Sequence, residues 1–280
     1  MDAAAYKAWI GRSETLSDVV AAAPIAGLAA LLDYPSPPWL AGEAPPLSHW
    51  FNFVPQARQS DIDLDGHPKR GGFLPPIDLP RRMWAGSRLS FHAPIRIGDK
   101  VERCSTILDV TPKSGASGAL VFLKLHHEIS AGGTLAITEE QDIVYREAPK
   151  PGTSALAPAE PKIRASAFTR SVTPDPVQLF RYSALTFNGH RIHYDRSYVT
   201  GVEGYPGLIV HGPLIATLLL HELVAEHPGA DVARFSFRAV KPIFDIAPFW
   251  VCGSLEGGEA KLFARDQDGA LCMEASATLR

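Results

Sequence analysis

The residues best suited to acid–base chemistry lie in one stretch of the second half of the chain. Asn188, His190 and His193 fall within six residues, and His211-Gly212 precede an apolar segment. An imidazole takes and gives protons near neutral pH. The first turn of a helix presents backbone N–H groups that have no intrahelical acceptor and attract anions. Together they suit proton transfer next to a carbonyl whose oxygen becomes negative.

The elements that must position these residues are predicted from apolar spacing. Residues 175–186 and 212–226 have the pattern of helices, and residues 232–280 have the pattern of strands separated by turns. Residues 188–207 have no regular pattern and are predicted to be irregular. We therefore expect the candidate catalytic residues to lie on loops held by a scaffold.

The first half is predicted to consist mainly of strands. Residues 13–32 are predicted to be a helix, because serine and threonine precede an Ala/Leu/Val-rich segment. Residues 33–80 are rich in proline and glycine and are predicted to be a long covering segment. From residue 87 to residue 146, apolar alternation between turns predicts an antiparallel sheet.

A composition change and an internal repeat divide the chain into two halves. Residues 148–162 have linker composition, which predicts an N-terminal half at 1–147 and a C-terminal half at 163–280. The segment Arg88-Leu-Ser-Phe-His-Ala-Pro matches Arg234-Phe-Ser-Phe-Arg-Ala-Val at four of seven positions. Two related β-sheet units are the simplest interpretation. The site segment has no equally clear counterpart in the first half, which is predicted to be a degenerate unit that covers the site.

The composition excludes several classes of partner. A net charge of −3, from 27 basic and 30 acidic residues, does not fit a nucleic-acid-binding surface. Three cysteines without metal-site spacing predict no metal centre and a reducing compartment. No secretory signal is recognisable, and the apolar segments are interrupted or shorter than the ~20 residues that span a bilayer. We therefore expect a cytoplasmic protein with no membrane partner.

The candidate site resembles that of the MaoC-like acyl-thioester hydratases and dehydratases of the hot-dog fold. Members of this family carry the pattern Asp-x-x-x-x-His-x-Asp, and the chain has Asn188-Gly-His-Arg-Ile-His193-Tyr-Asp195. The spacing matches, whereas the first residue is an amide instead of an acid. His211-Gly212-Pro-Leu-Ile-Ala is similar to the start of the family's central helix.

Segments of the first half are similar to one subgroup of this family. They are Asp65-Gly-His-Pro, Gly72-Phe-Leu-Pro-Pro and Pro80-Arg-Arg-Met-Trp-Ala-Gly86. That double-hot-dog subgroup contains the mitochondrial type 2 hydroxyacyl-thioester dehydratases and the mesaconyl-C4-CoA and itaconyl-CoA hydratases. The resemblance implies an α+β fold, a double hot-dog with two antiparallel sheets that each wrap a helix. The central helix is expected to be intact in the second half.

The resemblance implies roles for the residues of the site. His193 is expected to transfer protons, Asn188 to hold a water molecule through its amide oxygen, and the N–H of Gly212 to bind the enolate oxygen. Because the family's carboxylate is absent, either His193 performs both proton transfers, or His190 or Asp195 supplies the second. Asp195 is also expected to tie or cap the loop. His211 is expected to pack or form a hydrogen bond before the helix.

Arg81 and Arg82 are further candidates for substrate binding. Two adjacent guanidinium groups suit the distal carboxylate of a substrate or the phosphates of coenzyme A. Their neighbour Trp84 is expected to line an acyl pocket. A solvated charge pair and a core tryptophan form the structural alternative.

Three functions are consistent with these patterns. The first is reversible hydration of a 2,3-enoyl-CoA, with a branched five-carbon dicarboxylic acyl group such as mesaconyl-C4-CoA or itaconyl-CoA, giving citramalyl-CoA. The second is a 3-hydroxyacyl thioester dehydratase of fatty-acid synthesis. The third is a non-catalytic module that binds acyl-CoA. The hydro-lyase reaction requires no cofactor, since coenzyme A is part of the substrate, and a homodimer is expected.

Overall fold

A computed structural model describes residues 6–115, 118–148 and 165–280. The chain divides into two compact units. The first comprises Met1–Ala148 together with Ser183–Gly189, and the second comprises Pro149–Tyr182 with His190–Arg280. Apart from residue 148, the predicted linker at 148–162 lies outside the described residues. Among the described residues, no helix has the length and hydropathy needed to cross a membrane.

The first unit contains a five-stranded antiparallel sheet and the helix α1 (Ala22–Leu31). Its strands follow the order β1-β3-β4-β5-β2 across the sheet. They are β1 (Ser13–Val19), β2 (Arg81–Phe91), β3 (Lys100–Gly115), β4 (Gly118–Ala131) and β5 (Thr134–Arg146). The predicted sheet over 87–146 is therefore confirmed, and it begins six residues earlier, at Arg81.

The predicted helix over 13–32 is wrong in its first third. Residues Ser13–Val19 are a strand that pairs with β3, from Ser13 opposite Thr106 to Val19 opposite Lys100. The serines and threonine that suggested helix caps alternate along this strand instead. Pairing with a neighbouring strand outweighs a weak local preference. The helix begins only at Ala22, where no side-chain cap forms.

The second unit repeats this topology. Its strand order is β6-β8-β9-β10-β7, which has the same succession as the first unit. Its elements are β6 (Phe168–Val172), α2 (Pro176–Thr186), α3 (Arg196–Gly201), α4 (Gly212–Glu226), β7 (Val232–Ala239), β8 (Phe249–Glu256), β9 (Glu259–Arg265) and β10 (Leu271–Leu279). The last four residues of α2 are counted with the first unit. The repeated sequences lie on β2 and β7, the second strand of each unit, so the repeat predicted from them is confirmed.

The second unit also corrects two expectations. A short strand, β6, precedes the helices, whereas the sequence suggested that helices come first. The segment 188–207 contains a single 3₁₀ turn at Arg191–His193 and the short helix α3 instead of being irregular throughout. The predicted helices over 175–186 and 212–226 are confirmed to within one residue.

Helix α4 is the central helix of the second unit. Nine of its fifteen residues are buried, and they lie on all sides of the helix. It packs on β8, β9 and β10. A helix that is apolar all round belongs in a core. The site segment before its first turn is therefore attached to the best-packed element of this unit.

In the first unit, the described residues between α1 and β2 include no helix as long as α4. The covering segment takes its place through a 3₁₀ turn at Ser48–Phe51 and through buried residues such as Ile77 and Leu79. This segment was predicted only to be a covering segment, and the structure shows that it also contributes directly to the core. Its apolar positions follow no period because the chain there is neither helix nor strand.

A buried carboxylate lies beneath this segment. Glu139 is 3 % exposed and accepts hydrogen bonds from Ser87 Oγ at 2.6 Å, His49 Nε2 at 3.1 Å and Trp50 Nε1 at 3.2 Å. Burial opposes its ionisation, but the hydrogen bond and charge of His49 hold the pKa of Glu139 below its usual value. Directly opposite on β4, His127 bonds Ser105 Oγ at 2.8 Å through Nδ1. Buried polar groups need such partners.

Burial lowers the pKa of His127 to about 4, so folding should depend on pH through this residue. Above pH 6.5, the pKa of histidine in the unfolded chain, the imidazole is neutral in both the folded and the unfolded state. As pH falls from 6.5 towards 4, the unfolded state takes up the proton first, so the free energy of unfolding decreases. The variant His127→Asn keeps a donor near Nδ1 but cannot titrate. We expect it to remove up to about 3 kcal/mol of this pH-dependent decrease in the free energy of unfolding. Urea unfolding at pH 7, 5.5 and 4.5 measures it.

The matched control is His126→Asn. His126 directly precedes His127 in β4 and points to the opposite face of the sheet. The control should keep the wild-type slope of unfolding free energy against pH. An equally steep slope in His127→Asn would contradict the assignment.

Candidate active site

His193 is held in one orientation beside the first turn of α4. Its side chain is 7 % exposed, and Nδ1 lies 2.7 Å from the carbonyl oxygen of Ile209. A carbonyl only accepts, so Nδ1 carries the proton and Nε2 is the basic nitrogen of the neutral ring. The geometry is that of a fixed general base.

The Ile209 carbonyl is itself fixed by the backbone around it. The Ile209 N–H donates to the Ile192 carbonyl at 3.0 Å, and Val210 N donates to the Ile243 carbonyl at 2.9 Å. Ile209 also forms an isolated bridge with Phe244. These bonds connect the 3₁₀ turn that carries His193 to the segment that precedes α4.

Asp245 holds the segment that precedes α4 in place. Its side chain is fully buried, accepts the N–H of Leu208 at 2.8 Å and lies 2.5 Å from Arg196. A Cβ at Gly207 would meet Asp245 Oδ1 at 2.7 Å, so only glycine fits there. Asp245 was not singled out in the sequence. Its distance of 52 residues from His193 leaves no local signal that could have identified it.

Two further imidazoles surround His193. His211 stacks on it with ring centroids 3.6 Å apart, and His190 meets its ring edge-on at 5.5 Å. Burial, then the nearby His193 and His190, lower the pKa of His211 well below its usual value. His211 therefore stays neutral and does not repel a proton taken up by His193. The ring of Tyr182, whose pKa is raised by burial, lies tilted against His211 with ring centroids 5.0 Å apart.

Gly212 is the first residue of α4. The cap residue His211 forms no side-chain cap bond, and proline follows in the first turn. The first turn of any helix has backbone N–H groups without intrahelical acceptors, and the helix dipole favours negative charge there. Gly212 therefore lies in such a first turn, and its role as the oxyanion donor stays a prediction.

Asp195 has a structural position. Its carboxylate accepts the N–H of Tyr198 at 3.0 Å as the cap of α3 and pairs with Arg191 at 2.7 Å. The backbone hydrogen bond of Tyr198, then the Arg191 hydrogen bond, lower the pKa of Asp195. A carboxylate occupied in this way holds the loop that carries His193.

Asn188 belongs to the first unit by its contacts. Its N–H donates to the Ser183 carbonyl at 2.8 Å, and Phe187 before it has a left-handed φ of 49°. A Cβ on Gly189 would lie 2.7 Å from the carbonyl oxygen of Gly66, which again requires glycine. The segment that carries Asn188 therefore lies against the turn around Gly66 in the covering segment.

Arg81 and Arg82, both predicted to bind substrate, point to opposite faces of the sheet. Both lie in β2, where successive side chains point to opposite faces. Arg81 is 8 % exposed. Arg82 shares the face of Trp84, which donates through Nε1 to Ser87 Oγ at 3.0 Å and contacts the Trp50 ring edge-on at 5.0 Å.

Arg82 instead lines a small pocket of the first unit with residues from the covering segment. The others are Asp63, Asp65, His67, Pro68 and Arg70. Within the described residues, the Arg82 guanidinium forms no ion pair, whereas Arg70 donates to the carbonyl oxygens of Ile77 and Pro80. Arg82 is therefore the arginine of this pocket that is available to an anion.

Two units of one topology, the second with a fixed imidazole before its central helix, define a double hot-dog hydro-lyase. A model of the family described as hydroxyacyl-thioester dehydratase type 2 matches residues 47–245, and the chain belongs to this family. The mesaconyl-C(4)-CoA hydratase of Chloroflexus aurantiacus is 49% identical over 282 residues, covering 100% of this chain and 99% of that protein.

A second relative bears a dehydratase name, and solved structures share the fold of this chain. The mitochondrial hydroxyacyl-thioester dehydratase type 2 of Schizosaccharomyces pombe is 28% identical, over 75% of this chain and 77% of its own. Among solved structures, a MaoC-like dehydratase has a TM-score of 0.73 at 14% identity, covering 98% of this chain and 99% of its own. HtdX of Mycobacterium tuberculosis has a TM-score of 0.67 at 19% identity, with 95% and 99% covered. The α+β double hot-dog fold is confirmed.

Because Asp245 fixes the segment that binds His193, we expect Asp245→Ala to slow catalysis. The Leu208 N–H and Arg196 lose their acceptor, and a displacement of the imidazole by about 1 Å can cost on the order of 100-fold. We predict a kcat on enoyl-CoA lower by about 10- to 100-fold, with KM within threefold. Steady-state kinetics on the folded variant measures this.

Two variants control this prediction. Asp245→Asn keeps an oxygen for Leu208 and should recover most of kcat. Asp266→Ala removes a turn aspartate that pairs with Lys241 at 2.6 Å and should leave kcat unchanged. Unchanged kcat in Asp245→Ala would rule out the positioning role.

Proposed function

We propose that this protein reversibly hydrates a 2,3-enoyl-CoA whose acyl group is a branched five-carbon dicarboxylic acid. Mesaconyl-C4-CoA, which is such a 2,3-enoyl thioester, is the first candidate, with citramalyl-CoA as product. Itaconyl-CoA, whose double bond lies one carbon further from the thioester, is the second candidate and gives the same product. The observation that carries the reaction type is the Nδ1–H of His193 bonded to Ile209, which leaves Nε2 as base. The 49% identity over the whole chain to a mesaconyl-C(4)-CoA hydratase supports the substrate.

The steps follow from these groups. Nε2 of His193 takes a proton from a water molecule while the oxygen of that water forms a bond to the β-carbon of the enoyl group. The π electrons move to the thioester oxygen, and the Gly212 N–H stabilises the resulting enolate, as oxyanion donors elsewhere do by roughly 2.7–4 kcal/mol. The α-carbon then takes a proton and the thioester carbonyl re-forms. Asn188 remains the predicted holder of the water.

Arg82 is the residue proposed to bind the free carboxylate of the substrate. A guanidinium forms two parallel hydrogen bonds with a carboxylate, and Arg82 faces a pocket without an ion-pair partner among the described residues. A substrate that lacks this carboxylate gains nothing from the contact. Arg82 would thus determine specificity for dicarboxylic acyl groups.

The setting of the enzyme is also part of the proposal. It needs no cofactor besides the coenzyme A of its substrate, and it acts in the cytoplasm as a homodimer. The cysteines Cys104, Cys252 and Cys272 are all free thiols, which supports a reducing compartment. Light scattering tests the homodimer.

A second candidate is a dehydratase of 3-hydroxyacyl thioesters in fatty-acid synthesis. The family description and the yeast relatives, which bear the dehydratase name, favour it. Its substrates would be acyl-CoA or acyl-carrier-protein thioesters of a monocarboxylic acid. The two candidates differ in whether a second carboxylate is required.

A panel of enoyl-CoA thioesters tests the reaction and the substrate class. We expect mesaconyl-C4-CoA and itaconyl-CoA to be hydrated with higher kcat/KM than crotonyl-CoA and long-chain enoyl-CoA. His193→Ala should lower kcat by about 100-fold or more because a general base contributes 10²–10⁴. Preference for long chains would favour the dehydratase, and no turnover at all would favour a binding module.

Arg82→Gln tests the specificity role. A hydrogen-bonded charge contributes about 1.5–3 kcal/mol, so kcat/KM for the dicarboxylic substrate should fall about 10- to 150-fold. The kcat/KM for crotonyl-CoA should stay within threefold. Arg88→Gln is the matched control, since Arg88 lies on the same strand but pairs with Asp142 at 2.7 Å on the solvent side. Equal losses on both substrates would contradict the role.

A further inference from the structure

Two imidazole rings of the second unit lie face to face beside the first turn of α4. The ring centroids of His193 and His211 are 3.6 Å apart, and the planes of the rings differ by 18°. Both residues are buried, with 7 % of His193 and 1 % of His211 exposed. No water molecule fits between rings at this distance. Each ring therefore acts directly on a charge carried by the other, without screening by solvent.

The position of His211 is fixed by its own backbone and by a neighbouring ring. Directly before it, Val210 N donates to the Ile243 carbonyl at 2.9 Å, and the His211 carbonyl accepts the N–H of Ile215 at 3.1 Å in the first turn of α4. The ring of Tyr182, from α2, lies tilted against the imidazole with ring centroids 5.0 Å apart. The His211 ring therefore keeps its place while the ring stacked on it changes its charge.

The two stacked rings differ in their ability to take up a proton. Burial, then the charges of His193 and His190, lower the pKa of His211 well below its usual value. His211 therefore stays neutral. His193 has its Nδ1–H bonded to the Ile209 carbonyl, so it takes a further proton on Nε2. The stack consists of one ring that accepts the catalytic proton and one that remains uncharged.

A neutral aromatic ring in this position favours the protonated state of His193. A cation that lies over the face of an aromatic ring, within about 6 Å of its centroid, is attracted by the electrons of that face. Dispersion between the two rings is nearly the same whether or not His193 is charged, so it does not change the basicity. Only an interaction that differs between the two protonation states does so. The attraction of the imidazolium to the face of His211 is such an interaction.

We propose that His211 is a positioning residue that strengthens the general base: its uncharged ring, stacked on His193, stabilises the imidazolium that forms when His193 takes a proton from water. The proposal rests on the hydro-lyase function proposed above. The sequence led us to expect only packing or a hydrogen bond at His211. A neighbour that stabilises the protonated base makes it a stronger base, and proton transfer in the transition state becomes easier.

Other titratable groups of the second unit surround the stacked pair. His190 has its ring perpendicular to that of the base, with ring centroids 5.5 Å apart. Burial raises the pKa of Tyr182, so its hydroxyl stays neutral. The carboxylate of Asp195 pairs with Arg191 at 2.7 Å, and the two charges balance. Among these groups and His211, the ring of His211 is the one stacked face to face on the base.

The experiment compares two replacements of His211. His211→Phe keeps an aromatic face over the base and removes the ring nitrogens, whereas His211→Leu removes the face and remains apolar. For each variant, kcat/KM for the enoyl-CoA that the wild type hydrates fastest is measured from pH 5 to pH 9, and thermal unfolding checks the fold. The rise of kcat/KM with pH on the acidic side reports the loss of a proton from the base of the free enzyme.

We expect His211→Leu to move this rise to lower pH by about one unit, because the imidazolium loses the aromatic face that stabilised it. The weaker base should also lower kcat above pH 8 by about three- to tenfold. His211→Phe should keep the wild-type pH profile and a kcat within about threefold of the wild type. The matched control is His227→Leu, the same substitution at the far end of α4, where His227 contacts Phe168. It should change neither quantity.

A second measurement needs neither turnover nor a folded His211 variant. The imidazole ¹⁵N signals of the wild-type protein are followed by NMR as the pH is lowered, with those of His193 and His211 assigned from the variants that fold, His193→Ala among them. We expect His193 to take up a proton while His211 remains neutral. The same titration of His193 in His211→Leu and His211→Phe gives the shift of its pKa directly.

Each outcome decides the proposal. A folded His211→Leu variant whose acidic rise stays in place or moves to higher pH overturns it, and so do equal changes in His211→Phe. Both results leave the hydro-lyase function intact. Uptake of a proton by His211 before His193 in the wild type overturns it as well. If the wild type hydrates no thioester, the proposed function fails, and the NMR titrations of His193 still test the stacking. A shift to lower pH in His211→Leu alone supports the role of His211.

Discussion

The hydrogen bond from His193 Nδ1 to the Ile209 carbonyl is the interaction on which the site depends. It decides which ring nitrogen is basic, and it does so with a backbone atom that cannot change its protonation state. The carbonyl stays in place because Asp245, a fully buried carboxylate, binds the adjacent Leu208 N–H. The neutral His211 stacked on the ring adds no charge that would oppose its protonation. The second unit thus combines a fixed base with the uncapped start of its central helix.

The first unit meets a different constraint. With the same strand order but without a helix of α4's length among the described residues, its sheet is covered by a segment that mixes apolar and polar residues. The polar part centres on Glu139, whose burial is tolerated because three donors satisfy it. An irregular segment can place side chains where a helix cannot, since its direction is not set by a repeating backbone. Asp65 and His67 lie in this segment and line one pocket with Arg82 of β2.

Much of the fold could be predicted from the sequence. Apolar spacing located helices α2 and α4 to within a residue, and the match around Arg88 and Arg234 revealed two units of one topology. The strand at Ser13–Val19 was missed because its alternating serines and threonine also resemble helix caps, and only pairing with β3 distinguishes the two. The short strand β6 was missed because five residues are too few to show a periodic pattern.

By itself, the sequence determined which residue types are available for the chemistry. It placed His193 and Gly212 at the spacing of an acyl-thioester hydro-lyase and Asn188 where that family has an acid. The tertiary structure alone decided which of them are oriented and by what. Ile209 and Asp245 act through contacts between residues distant in the chain, and no local pattern encodes such contacts. The alternation of a strand likewise separated Arg81 from Arg82, because adjacency in sequence becomes opposition across a sheet.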